Sequence, residues 1–420
     1  MPTQATIIPV HAIIPFVCLL LSIALFPLFV PKLWEQNSKK AMITLFFSLP
    51  ILVYYWQNNM EIELFRTFED YLSFIALLAS LYVASGGVLL KGDFQGTPIN
   101  NVAILGLGSL LANFIGTTGA SMVLIRPLVK INSQRNHTAH IPIFFIFLVS
   151  NIGGCLTPLG DPPLFLGYLQ GVPFFWTLRL FWIWLFCISI LLSIFFLFDT
   201  IQYKKESEKA LFDDRSQIEP VKICGKRNFI FLGGIISSAF LLSPWREILM
   251  ISMAIFSYLF TVQENRLQNH FSFSPINEVA ILFAGIFITM VPALRLLKEN
   301  GTAFGITEPW QFFWVTGGLS AFLDNAPTYL TGISLAQGLN LNLPSSGGII
   351  GVPHQFLLAI SAGAVFMGAL TYIGNGPNFM VKTIAEESGI KMPSFFGYML
   401  YSGLILIPLF VLVTIVFLRL

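Results

Sequence analysis

Long apolar runs separated by short polar intervals repeat from one end of the chain to the other. A helix that crosses the hydrocarbon core of a bilayer needs about 20 predominantly apolar residues. On that measure, full crossings are expected at about 7–31, 41–56, 71–90, 141–169, 174–199, 228–243, 247–262, 278–297, 353–384 and 394–418. The runs are apolar on all sides instead of alternating with period two, which excludes a β-barrel. The expected fold class is an all-α polytopic membrane protein with about 10 transmembrane helices.

Two further segments, about 101–131 and 309–338, have a different pattern. Each is moderately apolar, broken near its middle by Ile115-Gly116-Thr117-Thr118-Gly119 or Asp324-Asn325-Ala326-Pro327-Thr328, and flanked by polar loops. Half of such a segment is too short to span. Both are therefore expected to be re-entrant hairpins, tolerated only where protein or a water-filled cavity shelters the tip; the alternative is one interrupted spanning helix. Gly116, Thr117, Thr118, Pro327 and Thr328 are the tip residues of interest.

Lysine and arginine positions test this threading. With both hairpins re-entering, 17 of the 23 basic residues fall on one side, in or beside the loops 32–40, 91–100, 126–140, 199–227, 263–277 and 382–393. The positive-inside rule makes that side cytoplasmic and both termini external, as for a bacterial inner-membrane protein. The first run lacks a basic leader and a small-residue cleavage site and reads as a retained helix. The mixed-charge stretch 201–227 reads as a solvated cytoplasmic linker between halves 1–200 and 228–420.

Those halves resemble each other. Thr157-Pro-Leu-Gly-Asp-Pro-Pro-Leu-Phe165 interrupts the run 141–169, and Thr371-Tyr-Ile-Gly-Asn-Gly-Pro-Asn-Phe379 interrupts the run 353–384. Thr, Gly, Pro and Phe coincide, and Asp161 stands opposite Asn375. The tips Ala112-Asn-Phe-Ile-Gly-Thr-Thr118 and Ala321-Phe-Leu-Asp-Asn-Ala-Pro327 occupy equivalent places upstream. Five crossings and one hairpin per half would invert the second copy, and broken helices in inverted repeats point to the binding site of many secondary transporters.

Composition agrees with this picture. Hydrophobic residues make up 55% and charged residues 10%, against roughly 25% charged in soluble domains; mean hydropathy is +0.77. The net charge of +2 and the lack of a basic stripe argue against nucleic acid. Cys18, Cys155, Cys187 and Cys224 show no paired spacing, so neither a disulfide framework nor a metal site is expected. No nucleophile motif, HExxH, P-loop or dinucleotide fingerprint appears, so neither an enzyme nor a resident cofactor is expected.

The chemistry sits at the breaks. Gly permits unusual backbone angles and Pro blocks helix continuation, so both motifs should unwind and expose carbonyls and amides. Three carboxylates lie in apolar surroundings: Asp161 in the first break, Asp324 at the second tip, and Glu278 at the start of a long run. A charge at mid-membrane costs at least ~2.5 kcal/mol, so each needs a partner, a proton or a bound cation. Burial disfavours the charged carboxylate, which lets H⁺ and Na⁺ compete for it. Asp161 and Asp324 are expected to approach one another as a transient sodium site, whereas Glu278 could simply cap its helix. Asn151, Thr157, Asn325, Thr371, Asn375 and Asn378 could add neutral oxygens suited to a hard cation, or hydrogen-bond between helices. Arg126 and Lys382 could pair with a carboxylate or snorkel, and His137 and His140 titrate near neutral pH.

The stretches 150–176 (SNIGGCLTPLGDPPLFLGYLQGVPFFW), 322–332 (FLDNAPTYLTG) and 364–399 resemble the NhaD-type sodium/proton antiporters. More closely, they resemble a bacterial subgroup labelled sodium:proton antiporter or citrate-transporter-like, within the ion transporter superfamily that also holds arsenite permeases and divalent-anion/sodium symporters. The resemblance implies two inverted repeats, each with a re-entrant hairpin and a discontinuous helix, working as a homodimer by an elevator-like movement. One departure is visible. Dicarboxylate members carry Ser-Asn-Thr at both tips, where this chain has Ile115-Gly-Thr-Thr118 and Leu323-Asp-Asn-Ala-Pro327. The expected activity is sodium (lithium)/proton antiport, with the bilayer lipid, sodium and protons as the only partners besides a second copy. The alternatives are citrate, dicarboxylate or arsenite-type oxyanion transport, and a non-transporting membrane scaffold or sensor.

Overall fold

The computed structural model describes residues 8–216, 218–339, 341 and 348–419; the loop carrying Ser346 lies outside them. The protein is a polytopic membrane protein, nearly all-helical, with 76% of its residues in helices. In hydrocarbon every backbone polar group must be paired internally, which favours helices throughout. Six helices among the described residues are long and apolar enough to cross a bilayer. Large apolar side chains such as Phe46 and Leu404 stand on the outer surface, where only lipid would cover them.

In chain order the first half comprises α1 (Ile14–Phe29), α2 (Asn37–Gln57), α3 (Glu61–Ser85), β1 (Leu89–Asp93), α4 (Pro98–Lys130), α5 (His140–Leu148), α6 (Pro162–Leu169) and α7 (Phe181–Tyr203). One of the long apolar helices, α4, is not continuous. Its backbone leaves the helical region at Gly116 (φ 77°, ψ 154°), a conformation open to glycine and few others. Beyond it the chain doubles back. Asn101 and Asn132 exchange amide hydrogen bonds of 3.0 and 2.8 Å, although a straight helix would hold them about 46 Å apart. Gly108 lies against Leu124, where an added Cβ would sit 3.0 Å from Cδ1. Both pairs are centred on Gly116.

The connection contains α8 (Glu208–Ser216) and β2 (Glu219–Cys224). It is not merely a solvated linker. β2 pairs antiparallel with β1, with Leu89 opposite Cys224, because a ladder satisfies backbone groups that a charged coil would leave to water. Glu206 accepts from the N–H groups of Asn136 and His137 at 2.9 and 2.8 Å. Burial pushes its carboxyl up, but these donors outweigh burial and hold it below the usual glutamate range.

The second half comprises α9 (Asn228–Ser238), α10 (Trp245–Phe260), α11 (Gln263–Gln268), α12 (Ser274–Asn300), α13 (Pro309–Ser320), α14 (Asn325–Gln337), α15 (His354–Met367), α16 (Gly376–Glu387) and α17 (Phe395–Val413). The run 228–243 is helical only over α9, about 16 Å of rise. Even so, Asn228 bonds Thr261 at one end and Ala239 accepts from Tyr168 at the other. α13 and α14 form the second doubled-back pair, Gly332 lying against Thr316 with a notional Cβ 2.8 Å from Oγ1. α13 also crosses α15 closely. A Cβ on Gly363 would meet the Phe313 carbonyl at 2.5 Å, so only glycine fits.

The two pairs enter from opposite sides. The base of the first meets the C-terminal end of α7, where Asn101 donates to Asp199 at 2.9 Å. The base of the second meets the C-terminal end of α12, with the Gly338 backbone against Gly301. α12 begins beside the basic-rich loops, where Glu278 pairs with Lys40, and ends away from them.

Candidate functional site

Two broken helices meet the two tips at the centre of the molecule. After α5 the chain forms a 3₁₀ turn, Ile152–Leu156, and becomes extended at Thr157 (φ −137°, ψ 156°) and Asp161 (φ −143°, ψ 141°) before α6 begins. After α15 it forms a 3₁₀ turn, Gly368–Leu370, and becomes extended at Thr371 (φ −135°, ψ 166°) and Asn375 (φ −151°, ψ 141°) before α16 begins. The two breaks share one backbone path. Thr157 Oγ1 donates to the Asn113 carbonyl and accepts from Leu159 N at 3.2 Å. Thr371 Oγ1 donates to the Ala321 carbonyl and accepts from Ile373 N at 3.2 Å. Both threonines thus tie a break to a tip. These contacts set Asn113 opposite Ala321, and hence Thr117 opposite Asn325. The motifs alone suggested Ala112 opposite Ala321, a register one residue away.

Asp161 is 1% exposed. An extended residue before a helix usually caps it with its side chain, but Asp161 makes no such bond. Its Oδ1 accepts from Thr117 Oγ1 at 3.0 Å and Asn375 Nδ2 at 3.2 Å, and its Oδ2 accepts from Asn325 Nδ2. One carboxylate is therefore held by both tips and by both breaks. Thr117, Asn325, Asp161 and Asn375 each stand at the N-terminal end of a helical segment, so four sets of partly positive backbone amides converge on it. None of the ion pairs among the described residues involves Asp161 or Asp324. The carboxylate has hydrogen-bond donors around it and no cationic side chain.

A second polar layer continues from Asn375, which also donates to the Ser150 carbonyl at 3.0 Å and to Asn151 Oδ1 at 3.3 Å. Asn151 donates to Asn378 Oδ1 at 2.7 Å, and Asn378 donates to the Gly368 and Thr371 carbonyls, each at 2.9 Å. All these side chains are buried. One acceptor remains open: Asn325 Oδ1 is buried without a hydrogen-bond partner, a costly condition that a ligand would relieve.

The structure brings Asp161, Asn325, Asn375, Asn151 and Asn378 together with Thr117 and gives the others different contacts. Asp324 adjoins the cluster in sequence, but its carboxylate accepts from Ala326 N at 3.0 Å and caps α14. Its helix start offers the nearest unpaired amides. Thr328 bonds the Asn325 carbonyl at 2.9 Å, steadying the same tip; buried Pro327 lies beside it, and Thr118 follows Thr117 on the first tip. Glu278 is elsewhere, 2.6 Å from Lys40. Sequence reasoning passed over Ser121 and Ser150, whose hydroxyls pair at 2.9 Å beneath the second layer, and the acceptor role of Asn113. It also passed over a buried cluster at the base of the first hairpin. There Asp199 takes Arg135 at 2.5 Å and His140 at 2.8 Å.

No curated protein matches this chain. A family model does, over residues 5–418 and so nearly the whole length, and its description is "Putative citrate transport". The chain belongs to this citrate-transporter-type family of membrane transporters.

Proposed function

We propose that the protein exchanges sodium (or lithium) for protons across the membrane, with Asp161 as the group for which the two ions compete. One observation carries the reading: a buried carboxylate, free of ion pairs, is gripped by donors from both halves beside the unpartnered oxygen of Asn325. A cation can use that oxygen and the carboxylate together, as hard cations prefer. A proton can neutralise the carboxylate instead. Because Thr117 belongs to one half and Asn325 and Asn375 to the other, occupancy of Asp161 would bias how the halves sit against each other, which alternating access requires. On this reading the basic-rich side is cytoplasmic.

A second reading, transport of citrate or a related anion, is favoured by the family description and by the four helix N-termini, which attract anions. Against it, the place where an anion would sit already holds Asp161, and no lysine or arginine pairs with that residue. Purified protein in liposomes loaded with a pH dye separates the readings. A sodium-triggered internal pH change supports exchange. Citrate-dependent sodium uptake without that change would overturn it, and silence under both would leave a scaffold or sensor.

A further inference from the structure

On the basic-rich side lies a cavity of about 670 Å³, remote from Asp161. It is lined by Arg126 and Lys130 of the first hairpin, Arg135, His137 and His140 of the following loop and helix start, and Lys391 of the loop after α16. No carboxylate lines it. Two of its cations are already matched, Arg135 by Asp199 at 2.5 Å and Lys130 by Glu219 at 3.3 Å. Arg126 and Lys391 form no ion pair among the described residues; the exposed Glu387 acts on Arg126 only through space. Glu206 is spent on the Asn136 and His137 amides and on Arg135, 3.9 Å away. The N-terminus of α5 opens on the same cavity, and no side chain caps it. An uncapped helix start flanked by two unmatched cations is an anion site by construction.

The cavity walls also say which anion. Phe198 of α7 and Tyr401 of α17 line it, and the neighbouring faces of those helices show Leu197, Leu400 and Leu404 to the outside at 63, 65 and 70% exposure. The opening thus abuts the lipid-facing surface at headgroup level. We propose that an anionic phospholipid seats its phosphate here, between Arg126, Lys391 and the start of α5, with its acyl chains along α7 and α17. Arg126 sits on the hairpin arm that begins at Thr117, about 13 Å away by helical rise, and Lys391 belongs to the other half. The lipid therefore bridges the two halves.

Native mass spectrometry of the purified protein with added phosphatidylglycerol or phosphatidylcholine tests this. Wild type should retain phosphatidylglycerol about tenfold or more in preference to phosphatidylcholine. Arg126→Gln/Lys391→Gln should lose the preference, and Arg126→Lys/Lys391→Arg should keep most of it. Lys391→Gln alone, on an exposed loop residue, guards against misfolding and should lose part. Equal retention of both lipids by wild type, or an unaltered preference in the double variant, overturns the proposal. Displacement of the bound lipid by millimolar inorganic phosphate would do so too, by assigning the basin to a soluble anion.

Discussion

Replacing Asp161 by Asn keeps the shape of the site and removes its charge. The structure gives the size of the effect. Asp161 accepts three hydrogen bonds, from Thr117, Asn325 and Asn375, and an amide can accept at one oxygen only. Losing one or two charge-assisted bonds costs about 1.5–3 kcal/mol each, but burying a charge costs at least ~2.5 kcal/mol, and the substitution removes that too. The two nearly offset, so thermal stability in detergent should change little. Exchange should change greatly. A unit cation about 3 Å from a carboxylate gains roughly 5 kcal/mol at an effective dielectric of 20, and each 1.4 kcal/mol is about tenfold in affinity. Asp161→Asn should therefore weaken sodium binding by roughly three to four decades and drive sodium-triggered proton flux in liposomes to background. Wild-type flux from a well-folded variant would refute the argument. Abolished exchange with sodium-coupled citrate uptake intact would point to the anion reading.

Asn325→Ala removes a donor to Asp161 and the open oxygen, and should raise the half-saturating sodium concentration about tenfold in the same assay while sparing the maximal rate. Gly116→Ala has room, its Cβ meeting nothing closer than 3.4 Å, but φ of +77° strains it; melting should report a loss of about 1–3 kcal/mol. Asp199→Asn leaves buried Arg135 with only the more distant carboxylate of Glu206, 3.9 Å away, and should destabilise by about 3 kcal/mol, with Arg135→Met as a second change recovering part of it. Glu206 is held below its ordinary value of 4.5, so its contribution is present above that pH and lost as pH falls through the folded value. The melting-temperature gap between wild type and Glu206→Gln should accordingly shrink on acidification.

What was legible in the sequence was whatever disturbs an apolar helix. Gly116, Asp161, Asn325 and Asn375 declare themselves because Gly, Asp and Asn have no cheap place inside a run of Leu and Phe, and each stands at an observed break. Pairings across the fold were not legible. Nothing in the chain connects Arg135 or His140 to Asp199, 64 and 59 residues away, because the hairpin base that joins them exists only after the chain doubles back. Asp324 and Glu278 show how little apolar surroundings alone say about a carboxylate's contacts. Both looked like site carboxylates by their surroundings, yet local chemistry claims one as a helix cap and tertiary chemistry claims the other for Lys40. Strand β2 was hidden because its partner β1 lies far upstream, 135 residues away for Leu89↔Cys224.

The two breaks are copies in backbone but not in charge. Asp161 and Asn375 have nearly identical dihedral angles and each precedes a helix without capping it, so either position could host a carboxylate aimed at the centre. Two carboxylates there would repel each other and demand two cations or two protons. One carboxylate facing one amide demands a single positive charge, and the amide of Asn375 helps hold the carboxylate at 3.2 Å. Asp324 caps its own helix, and Asp161 is the carboxylate gripped by donors from both halves. On the proposed reading, this anion-attracting frame of helix N-termini is satisfied internally by Asp161, and the cargo becomes whatever neutralises that residue. The same frame with Asn at both breaks would present only donors and suit a carboxylate from solution. On the proposed reading, the side chain at position 161 is what separates sodium/proton exchange from anion transport, through the charge it places among four helix N-termini.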